Sequence, residues 1–360
     1  MSADRARTWA NIHIDPPPTY RNIVATHLEL LRRAIGPTDD AAVRQIELVC
    51  SLLGAWADEP VEQLDHYRSF VGNDGSPVEF SVAMTRSGAA ARLLFEQLGG
   101  PPPWRQEGAG FVERLHETLG LDVGRFRRIA DLFDGTPPPG SFSMMYGAAL
   151  TTDDLPLFKV YLNPAIGPMR PLRTVGAAME RLGLSAQWSH LNEYLEGGTF
   201  DWTHHEIGFF AMDLGAFPDA RVKLYIRHTG CGPDEIERIA MLAPDHQPDL
   251  FTKILGRLYN GPIAVKAPVS CLSFVEGRVA PATITLHCPL DTNAADDAEA
   301  GARVTDVLEM SGIAPDLFGT LTSAISGADP AGGRRLSWMS YKRPADPVVT
   351  VYAGLDGSAR

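Results

Sequence analysis

Two segments of the chain, residues 158–162 and 220–227, alternate hydrophobic with polar positions over the length of a strand. Because successive side chains of a strand point to opposite faces, each segment has one hydrophobic face and one charged, aromatic face. The charged faces carry Lys159 and Tyr161 in the first segment, and Arg221, Lys223, Tyr225 and Arg227 in the second. If the hydrophobic faces pack outward against helices, the cations and tyrosines line an interior that suits a polyanion beside an aromatic wall.

Helical and strand patterns take turns along the rest of the chain. Apolar spacing predicts helices over residues 22–35, 40–56, 88–97, 111–119, 123–133, 175–182, 233–241, 248–258, 297–310 and 315–325. Alternation predicts strands over residues 78–84, 142–150, 158–162, 207–213, 222–227, 269–275, 283–288, 337–342 and 348–353. The strands come mostly in pairs, and the short turn at 151–154 indicates antiparallel hairpins rather than parallel crossover units.

Nine predicted strands, with room for a tenth, suffice for a closed barrel wider than the eight-stranded kind, which already holds one small ligand. A ring of helices would cover its outer face. The proline-rich stretches at 16–18, 101–103 and 137–139 are too short to link domains. We therefore expect a single domain that spans residues 1–360.

The net charge of −12 argues against nucleic acid or an anionic membrane as the main partner, because both favour a surplus of lysine and arginine. The cationic strands stand out against this acidic background. The four cysteines are far apart in the sequence, and free thiols in a reducing cytoplasm are the simple interpretation. Residues 1–7 lack an apolar signal region, and no apolar run approaches the ~18 residues of a membrane span. We expect a cytoplasmic, soluble protein.

Several cofactor and metal chemistries lack their sequence signals. Residues 108–110 (Gly-Ala-Gly) lack the third glycine of a dinucleotide fingerprint, and no glycine run leads to a phosphate-binding lysine. The acidic pairs at 39–40, 153–154 and 296–297 lack an aspartate three residues on, so the magnesium cluster of terpenoid enzymes is missing. Residues 204–206 (His-His-Glu) are a conceivable metal fragment, but adjacent histidines on a strand point apart and a second cluster is absent. We predict no metal site.

A series of short motifs runs through most of the chain. They are the strand 76–81 with Glu79, the segment 92–96 that begins at Arg92, the two charged strands, residues 285–289 (Thr-Leu-His-Cys-Pro) and the closing strand 348–352. In this order they resemble the aromatic prenyltransferases of the dimethylallyltryptophan synthase family, whose bacterial members include indole prenyltransferases. The resemblance implies an α+β fold, a closed antiparallel ten-stranded β-barrel (prenyltransferase barrel, ABBA fold) ringed by α-helices.

The resemblance also implies a role for each motif. Glu79 would be the catalytic residue that holds the indole N–H. The diphosphate would be bound by Arg92, Lys159, Arg221, Lys223 and Thr285. The dimethylallyl carbocation would be shielded by Tyr161, Tyr225, His287 and Tyr352.

Together these roles imply a metal-independent transferase without a cofactor. It would move a dimethylallyl group from dimethylallyl diphosphate, a co-substrate, to the indole ring of tryptophan or an indole derivative. Protein cations must then meet the charge of the leaving diphosphate, and aromatic faces would attract the carbocation and exclude water. Glu79, surrounded by cations, is expected to stay ionised. The partners are thus two small molecules, not nucleic acid or a membrane, and the oligomeric state stays open.

Three positions depart from the family pattern. Thr285 replaces a longer diphosphate-binding side chain, whereas His287 and Val348 replace tyrosines. A thinner shield and a wider pocket leave open a phenolic or other aromatic acceptor and a longer prenyl diphosphate. Asn163 stands where fungal relatives that take free tryptophan can have a tyrosine on the amino-acid carboxylate. An indole derivative or an indole-containing peptide therefore also stays open as the acceptor.

A function of another class is compatible with part of the pattern. A noncatalytic barrel that binds a phosphorylated small molecule, as a carrier or sensor, would need only the cations. Alternatively, Lys159 and Tyr161 form a solvated strand face, with the lysine stem lying along it. Arg92 could likewise pair with Glu96 one helical turn away. The proposed carboxylate and tyrosine shield separate the enzyme from the carrier, because binding diphosphate needs neither.

Overall fold

The computed structural model describes residues 18–36, 39–64, 67–99, 105–137, 141–167, 169–197, 202–259, 261, 266–326, 333–343 and 346–355. The N-terminal segment 1–7 and the proline-rich residues 16–17, 101–103 and 138–139 lie outside these ranges. Pro18 and Pro137, the described members of two proline-rich stretches, stand outside helices and strands as expected.

The described strands are β1 (Val78–Met84), β2 (Ala89–Phe95), β3 (Leu98–Gly99), β4 (Arg105–Gln106), β5 (Met144–Ala149), β6 (Leu157–Leu162), β7 (His205–Asp213), β8 (Val222–His228), β9 (Val269–Phe274), β10 (Thr283–Pro289), β11 (Leu336–Lys342) and β12 (Val348–Ala353). Ten of them form a closed antiparallel barrel in the order β1-β12-β11-β10-β9-β8-β7-β6-β5-β2, and β1 pairs with β2 to close it. The remaining two, β3 and β4, form a small separate sheet. The predicted ten-stranded barrel is confirmed.

The described α-helices are α1 (Tyr20–Ile35), α2 (Asp40–Leu52), α3 (Gly110–Leu119), α4 (Gly124–Arg127), α5 (Pro171–Arg181), α6 (Ser185–Glu196), α7 (Pro233–Ala240), α8 (Leu250–Leu258), α9 (Asp297–Met310) and α10 (Asp316–Ser326). Side-chain caps begin several of them. Asp39 accepts from the Ala42 amide at the start of α2, and Asp296 accepts from the Glu299 amide at the start of α9. Such caps satisfy amides that the first helical turn leaves unpaired.

One predicted helix, over residues 88–97, is a strand instead. Its alanines and leucines favour a helix by intrinsic propensity. The segment nevertheless pairs with β1, where Arg92 lies opposite Ser81, and with β5, where Arg92 lies opposite Ala149. Odd-numbered side chains from 91 to 95 are buried, whereas the alternate positions Arg92 and Leu94 are half-buried. This segment, β2, is the tenth strand that the sequence pattern does not reveal.

Smaller differences concern helix ends. The helix predicted over 40–56 ends at Leu52 and is followed by a 3₁₀ turn at Ala55–Asp58. The helix predicted over 123–133 divides into α4 and a 3₁₀ turn at Ala130–Phe133. The sequence pattern does not predict helix α6. Its buried leucines, Leu191 and Leu195, recur only once per turn, which is a weak helical pattern.

The hydrophobic core lies between the outer face of the barrel and the helices. Phe80 and Val82 of β1 are buried in it together with Val24 and Leu28 of α1. Since alternate side chains of a strand face opposite ways, this outer core turns the charged and aromatic positions toward the interior. In the part of the chain that the structure describes, no helix is both long and apolar enough to cross a membrane.

Candidate active site

Every second strand around the antiparallel barrel runs in the same direction. Side chains that follow one another in the same order on two such strands therefore lie at similar levels of the interior. On β8, Lys223 is followed by Tyr225 and then Arg227 on the inner face, about 7 Å apart because a strand rises ~3.3 Å per residue. The order is the same on β6, where Lys159 precedes Tyr161. The interior therefore has a cationic inner end at the level of Lys159 and Lys223, an aromatic middle at Tyr161 and Tyr225, and a mouth at Arg227.

Five cationic side chains lie at the inner end: Arg92, Lys159, Arg221, Lys223 and Lys342. The charge of Lys223, followed by burial, lowers the pKa of Lys159 well below its usual range. Burial, with Lys223, Arg221 and Arg92, lowers the pKa of Lys342 to about 8. The cations repel one another, so an anion bound among them would raise the pKa of the lysines again.

One buried carboxylate, Asp213 at the end of β7, lies among these cations. Arg221 Nε donates to Asp213 Oδ2 at 2.7 Å, and Lys159 Nζ lies 3.9 Å from Asp213 Oδ1. Burial opposes the charge of Asp213, but Lys159 and Arg221 outweigh it and lower the pKa of this carboxyl group. The carboxylate therefore holds Arg221 and Lys159 in position.

The other inner cations keep unused capacity for an anion. Among the described residues, Arg92, Lys223 and Lys342 form no ion pair, and the buried Arg92 Nε has no hydrogen-bond partner. Thr285 is half-buried on β10 and lies opposite Lys342 of β11, so its hydroxyl belongs to the same level. A buried donor without a partner is costly, and a polyanion such as a diphosphate would satisfy several donors at once.

Aromatic rings follow one another across the middle of the barrel. Ring centroids lie 6.0 Å apart for Tyr161 and Tyr225, 5.7 Å for Tyr225 and His287, and 6.0 Å for His287 and Tyr352. Phe209 meets Tyr225 edge to face at 5.5 Å. These contacts make a continuous aromatic wall between the cations and the mouth.

The rings of this wall are uncharged. Burial, followed by Lys223 and Arg92, lowers the pKa of His287 to about 3, so the imidazole stays neutral. Burial raises the pKa of the tyrosine hydroxyls, Tyr161 and Tyr225 most strongly, so the phenols stay protonated. Neutral rings with electron-rich faces attract a carbocation, and a protonated imidazole would repel it.

Glu79 of β1 is buried on the mouth side of the aromatic wall, and Ser337 Oγ donates to its Oε1 at 2.7 Å. Burial raises the pKa of Glu79 to about 7, although the Ser337 hydrogen bond and Lys266 favour the charged form. The cations expected to keep Glu79 ionised lie at the far end of the interior, and burial outweighs Lys266, so the carboxyl group is only partly ionised near neutral pH. The carboxyl group is poised to change its charge near neutral pH.

A second polar cluster lies near Glu79 at the mouth. Lys266 Nζ donates to Asn73 Oδ1 at 2.6 Å, lies 3.9 Å from Asp291 Oδ2, and sits 4.4 Å above the ring centroid of Trp338. Asn73 Nδ2 donates to Asp291 Oδ2 at 2.6 Å. Lys266 is thus already paired with a carboxylate and an aromatic face, unlike Arg92, Lys223 and Lys342 at the inner end.

A cavity of about 440 Å³ opens between the mouth and the aromatic wall. Its lining includes Glu79, Trp338, Phe209, Tyr225 and Tyr352. Volume and lining suit a small, flat, mostly apolar molecule with one polar group directed at Glu79.

The ten site residues predicted from the sequence all belong to barrel strands or, for Arg221, to the residue before β8. Sequence reasoning missed several residues of the same interior, among them Asp213, Phe209, Lys266, Ser337, Trp338 and Lys342. Lys342 and Trp338 lie in phase on β11, so strand alternation could have found them. The roles of Asp213 and Lys266 depend on neighbours from other strands and loops, so strand alternation could not have indicated them.

One contact considered from the sequence is absent among the described residues, and Asn163 has partners of its own. Arg92 does not pair with Glu96, because the segment is a strand and Glu96 accepts a hydrogen bond from Tyr67 Oη at 2.6 Å. Asn163 is buried, and its Nδ2 donates to the Phe142 carbonyl at 2.8 Å. Its Oδ1 accepts from the Ala165 amide at 2.9 Å, so the side chain links two backbone segments.

Solved structures of prenyltransferases share this barrel. The 6-dimethylallyltryptophan synthase from Micromonospora olivasterospora, solved in complex with DMASPP and Trp, is 27% identical with a TM-score of 0.84, over 95% of this chain and 99% of that chain. The 5-dimethylallyltryptophan synthase from Streptomyces coelicolor is 22% identical with a TM-score of 0.82, over 94% of this chain and 98% of that chain. The prenyltransferase PriB, solved with L-tryptophan and dimethylallyl thiolodiphosphate, is 24% identical with a TM-score of 0.82, over 94% and 96%. The fold is the prenyltransferase barrel.

The sequence assigns the family as well as the fold. Residues 45–258, more than half of the chain, match the family described as tryptophan dimethylallyltransferase. The chain therefore belongs to the tryptophan dimethylallyltransferase family and is a prenyltransferase. The predicted family and enzyme class are confirmed, and the noncatalytic carrier is set aside.

Proposed function

We propose that the protein transfers a dimethylallyl group from dimethylallyl diphosphate to the indole ring of tryptophan or a close indole derivative. One observation carries the proposal: buried cations, neutral aromatic rings and a buried carboxyl group follow one another along a single barrel interior. This is the order that a diphosphate, an allylic cation and an indole N–H require. The relative from Micromonospora olivasterospora, solved with DMASPP and Trp, supports the same pair of substrates.

The inner cations would bind and ionise the donor. Arg92, Arg221 and Lys223, with Lys159, Lys342 and the Thr285 hydroxyl, would take the diphosphate oxygens. The allylic C–O bond then breaks heterolytically, and its electron pair leaves with the diphosphate. Each charge-assisted hydrogen bond contributes roughly 1.5–3 kcal/mol, and it strengthens as the leaving group gains charge. No metal or other cofactor enters this proposal, because the protein cations already match the leaving group.

The aromatic wall would hold the resulting carbocation. Tyr161, Tyr225, His287 and Tyr352 would place neutral ring faces around it, and each desolvated face is worth ~2 kcal/mol or more. The wall also keeps water away, since capture by water would produce dimethylallyl alcohol. His287 and Val348, which stand in place of tyrosines, leave the wall less complete than the family pattern.

Glu79 would orient and activate the acceptor. Its ionised form accepts the indole N–H, while Trp338 and Phe209 pack against the ring system in the cavity. Electron density rises in the indole ring, an aromatic carbon attacks the cation, and a C–C bond forms. That carbon then loses its proton to an oxygen of the departed diphosphate, and the ring regains aromaticity. The Ser337 hydroxyl, which donates to Glu79 Oε1 at 2.7 Å, would be the positioning residue for the carboxylate.

We also propose that residues 1–360 form one domain, because the strands that close the barrel, β1 and β12, come from opposite ends of the described chain. A cytoplasmic location is proposed too, since all four cysteines are free thiols.

The function can be tested by incubating purified protein with dimethylallyl diphosphate, L-tryptophan and a panel of indoles and phenols in the presence of EDTA. Mass spectrometry should detect an added five-carbon unit on an indole, and the panel ranks the acceptors. Prenylation of phenols alone would overturn the proposed acceptor class. If neither acceptor nor donor is consumed, the proposed reaction is wrong. Lys223→Ala is the matched comparison and should form less product when the donor is well below its KM, because it removes an inner cation and leaves the acceptor cavity intact.

A further inference from the structure

Three potential metal ligands meet outside the barrel interior. They are His205 at the start of β7, His228 at the end of β8, and Cys231 in the segment that leads to α7. One possible ligand atom from each lies within 4.8 Å of the other two. Both histidines are buried, and Cys231 is half-buried. From the sequence, no second cluster is expected beside His205, but the antiparallel pairing of β7 with β8 supplies it.

The local backbone brings the cluster together. His205 and His228 are directly opposite in the register of β7 and β8, and the Thr229 amide donates to the His204 carbonyl at 2.7 Å. Gly230 then adopts a left-handed conformation with φ of +74°, which returns the chain toward the sheet before Cys231. His228 and Cys231 are therefore separated by two residues on a tight turn, the ligand spacing that is typical of zinc sites.

The histidines also have the partners that a metal site needs. The Nδ1 atoms of His205 and His228 lie 2.9 Å apart, so one ion could take a lone pair from each. His228 Nε2 accepts from the Ser270 amide at 3.2 Å and lies 2.8 Å from Ser270 Oγ, so Ser270 fixes the ring through its second nitrogen. Metal-bound histidines usually make such a contact through the second ring nitrogen. His204, which points away, contacts the Thr229 carbonyl instead.

We propose that His205, His228 and Cys231 form a site for a divalent cation of the zinc class, with solvent as the fourth ligand. Two imidazole nitrogens and one thiolate are a borderline-soft donor set that favours zinc over magnesium or calcium. On binding, Cys231 releases its thiol proton to solvent. The proton shared between the two Nδ1 atoms moves to His228 Nε2, where Ser270 Oγ accepts it, and the Ser270 amide gives up its 3.2 Å hydrogen bond to that nitrogen. No electron is transferred.

The site would act on structure rather than on the prenyl reaction. It joins the ends of two barrel strands to the segment before α7. The neighbours of His228 in sequence, Arg227 and Thr229, line the mouth of the acceptor cavity. A bound ion would therefore stabilise the rim of that cavity. The inference does not depend on the proposed substrates.

Cobalt(II) is the probe, because a thiolate ligand gives it a near-ultraviolet charge-transfer band and a tetrahedral site gives it intense visible bands. Reduced, EDTA-treated and dialysed protein should bind one equivalent with both signatures, and zinc should displace the cobalt. Cys231→Ser should lose the charge-transfer band and weaken binding at least about 100-fold, since removing even an outer partner costs 10- to 100-fold. Cys50→Ser is the matched control and should behave as the parent protein.

Thermal unfolding gives a second measurement. Zinc should raise the melting temperature of the parent protein and of Cys50→Ser, but not that of Cys231→Ser, because only a cation bound to the folded state stabilises it. A cobalt spectrum without the charge-transfer band, or equal binding by Cys231→Ser, would overturn the site and leave a hydrogen-bonded histidine pair. Cys231 is half-buried, so circular dichroism is used to check that the Cys231→Ser protein folds.

Discussion

Both ends of the barrel interior contain cationic side chains, but the two ends differ in whether these cations are paired with carboxylates. At the mouth, the cations have carboxylate partners, since Lys266 lies 3.9 Å from Asp291 and Arg227 pairs with Glu206. At the inner end five cations surround Asp213, and the buried Arg92 Nε has no partner among the described residues. The mouth is balanced for a neutral ring, whereas the inner end is built for an anion that arrives with the donor.

The comparison also explains why one interior holds two opposite electrostatic demands. Ionising an allylic diphosphate needs positive charge at the oxygens and neutral, electron-rich surfaces at the carbon. The aromatic wall separates the two ends. Burial raises the pKa of Tyr352 in that wall, while the charge of Arg92 on one side lowers it and that of Glu79 on the other raises it. A barrel suits this arrangement, because one strand can place a cation and an aromatic ring two residues apart.

Removing an inner cation should have the largest effect. Lys223→Ala should raise the KM for dimethylallyl diphosphate by about 10- to 100-fold, because each charge-assisted hydrogen bond is worth roughly 1.5–3 kcal/mol. Steady-state kinetics with varied donor measures it. Arg227→Ala, on the same strand but at the mouth, is the control and should leave this KM within about threefold. Equal effects of the two variants would remove the distinction between the ends.

Removing the charge at the mouth should affect turnover rather than donor binding. Glu79→Gln should lower kcat by about tenfold or more, since the carboxylate that polarises the indole N–H is lost. Pyrophosphate affinity, measured by calorimetry, should stay unchanged. Turnover equal to that of the parent protein would show that Glu79 does not activate the acceptor.

The pH profile of kcat/KM should have an acid limb set by the mouth of the interior and an alkaline limb set by its inner end. Glu79 must be ionised, so kcat/KM should rise with pH through about 7. Lys342 must be protonated to bind the diphosphate, so its loss of charge should lower kcat/KM above about pH 8. Bound diphosphate favours the charged lysines, so the alkaline limb of kcat should lie at higher pH. Glu79→Gln should lose the acid limb and keep the alkaline one.

Stability should record the cost of burying Glu79. The folded-state pKa of about 7 exceeds the ordinary value of 4.5, so ionisation destabilises the fold as pH rises from 4.5 through 7. Glu79→Gln lacks this cost. From pH 5 to pH 8 it should gain about 1–3 kcal/mol in unfolding free energy relative to the parent protein. Urea unfolding at both pH values measures the difference, and a gain that does not depend on pH would contradict the raised pKa.

The smallest effect is expected at the aromatic wall. Tyr352→Phe should change kcat by less than about threefold, because the ring face and not the hydroxyl attracts the cation. Tyr352→Ala opens the wall, and a larger share of donor should appear as dimethylallyl alcohol. Product analysis by mass spectrometry separates the two variants. If Tyr352→Phe also releases the alcohol, the hydroxyl itself helps to exclude water.

Much of the site follows from strand alternation, which is local. A period of two brings Lys159 and Tyr161 to one face, and Lys223 and Tyr225 to another, whatever the remainder of the chain does. The family resemblance added Glu79 and the fold. The closed ten-stranded barrel is confirmed, whereas the catalytic roles of these residues stay predictions.

Tertiary structure decided what depends on distant partners. Residues 89–95 favour a helix by propensity, yet pairing with β1 and β5 makes them a strand and turns Arg92 inward. The protonation of Glu79 depends on burial and on Ser337, which lies 258 residues away in the sequence. Likewise, His205 meets His228 only through the register of two strands. The sequence by itself determined which side chains share a strand face, because alternation is a property of neighbours along the chain. Their charge states and their companions depend on burial and closure of the barrel, which only the complete fold brings about.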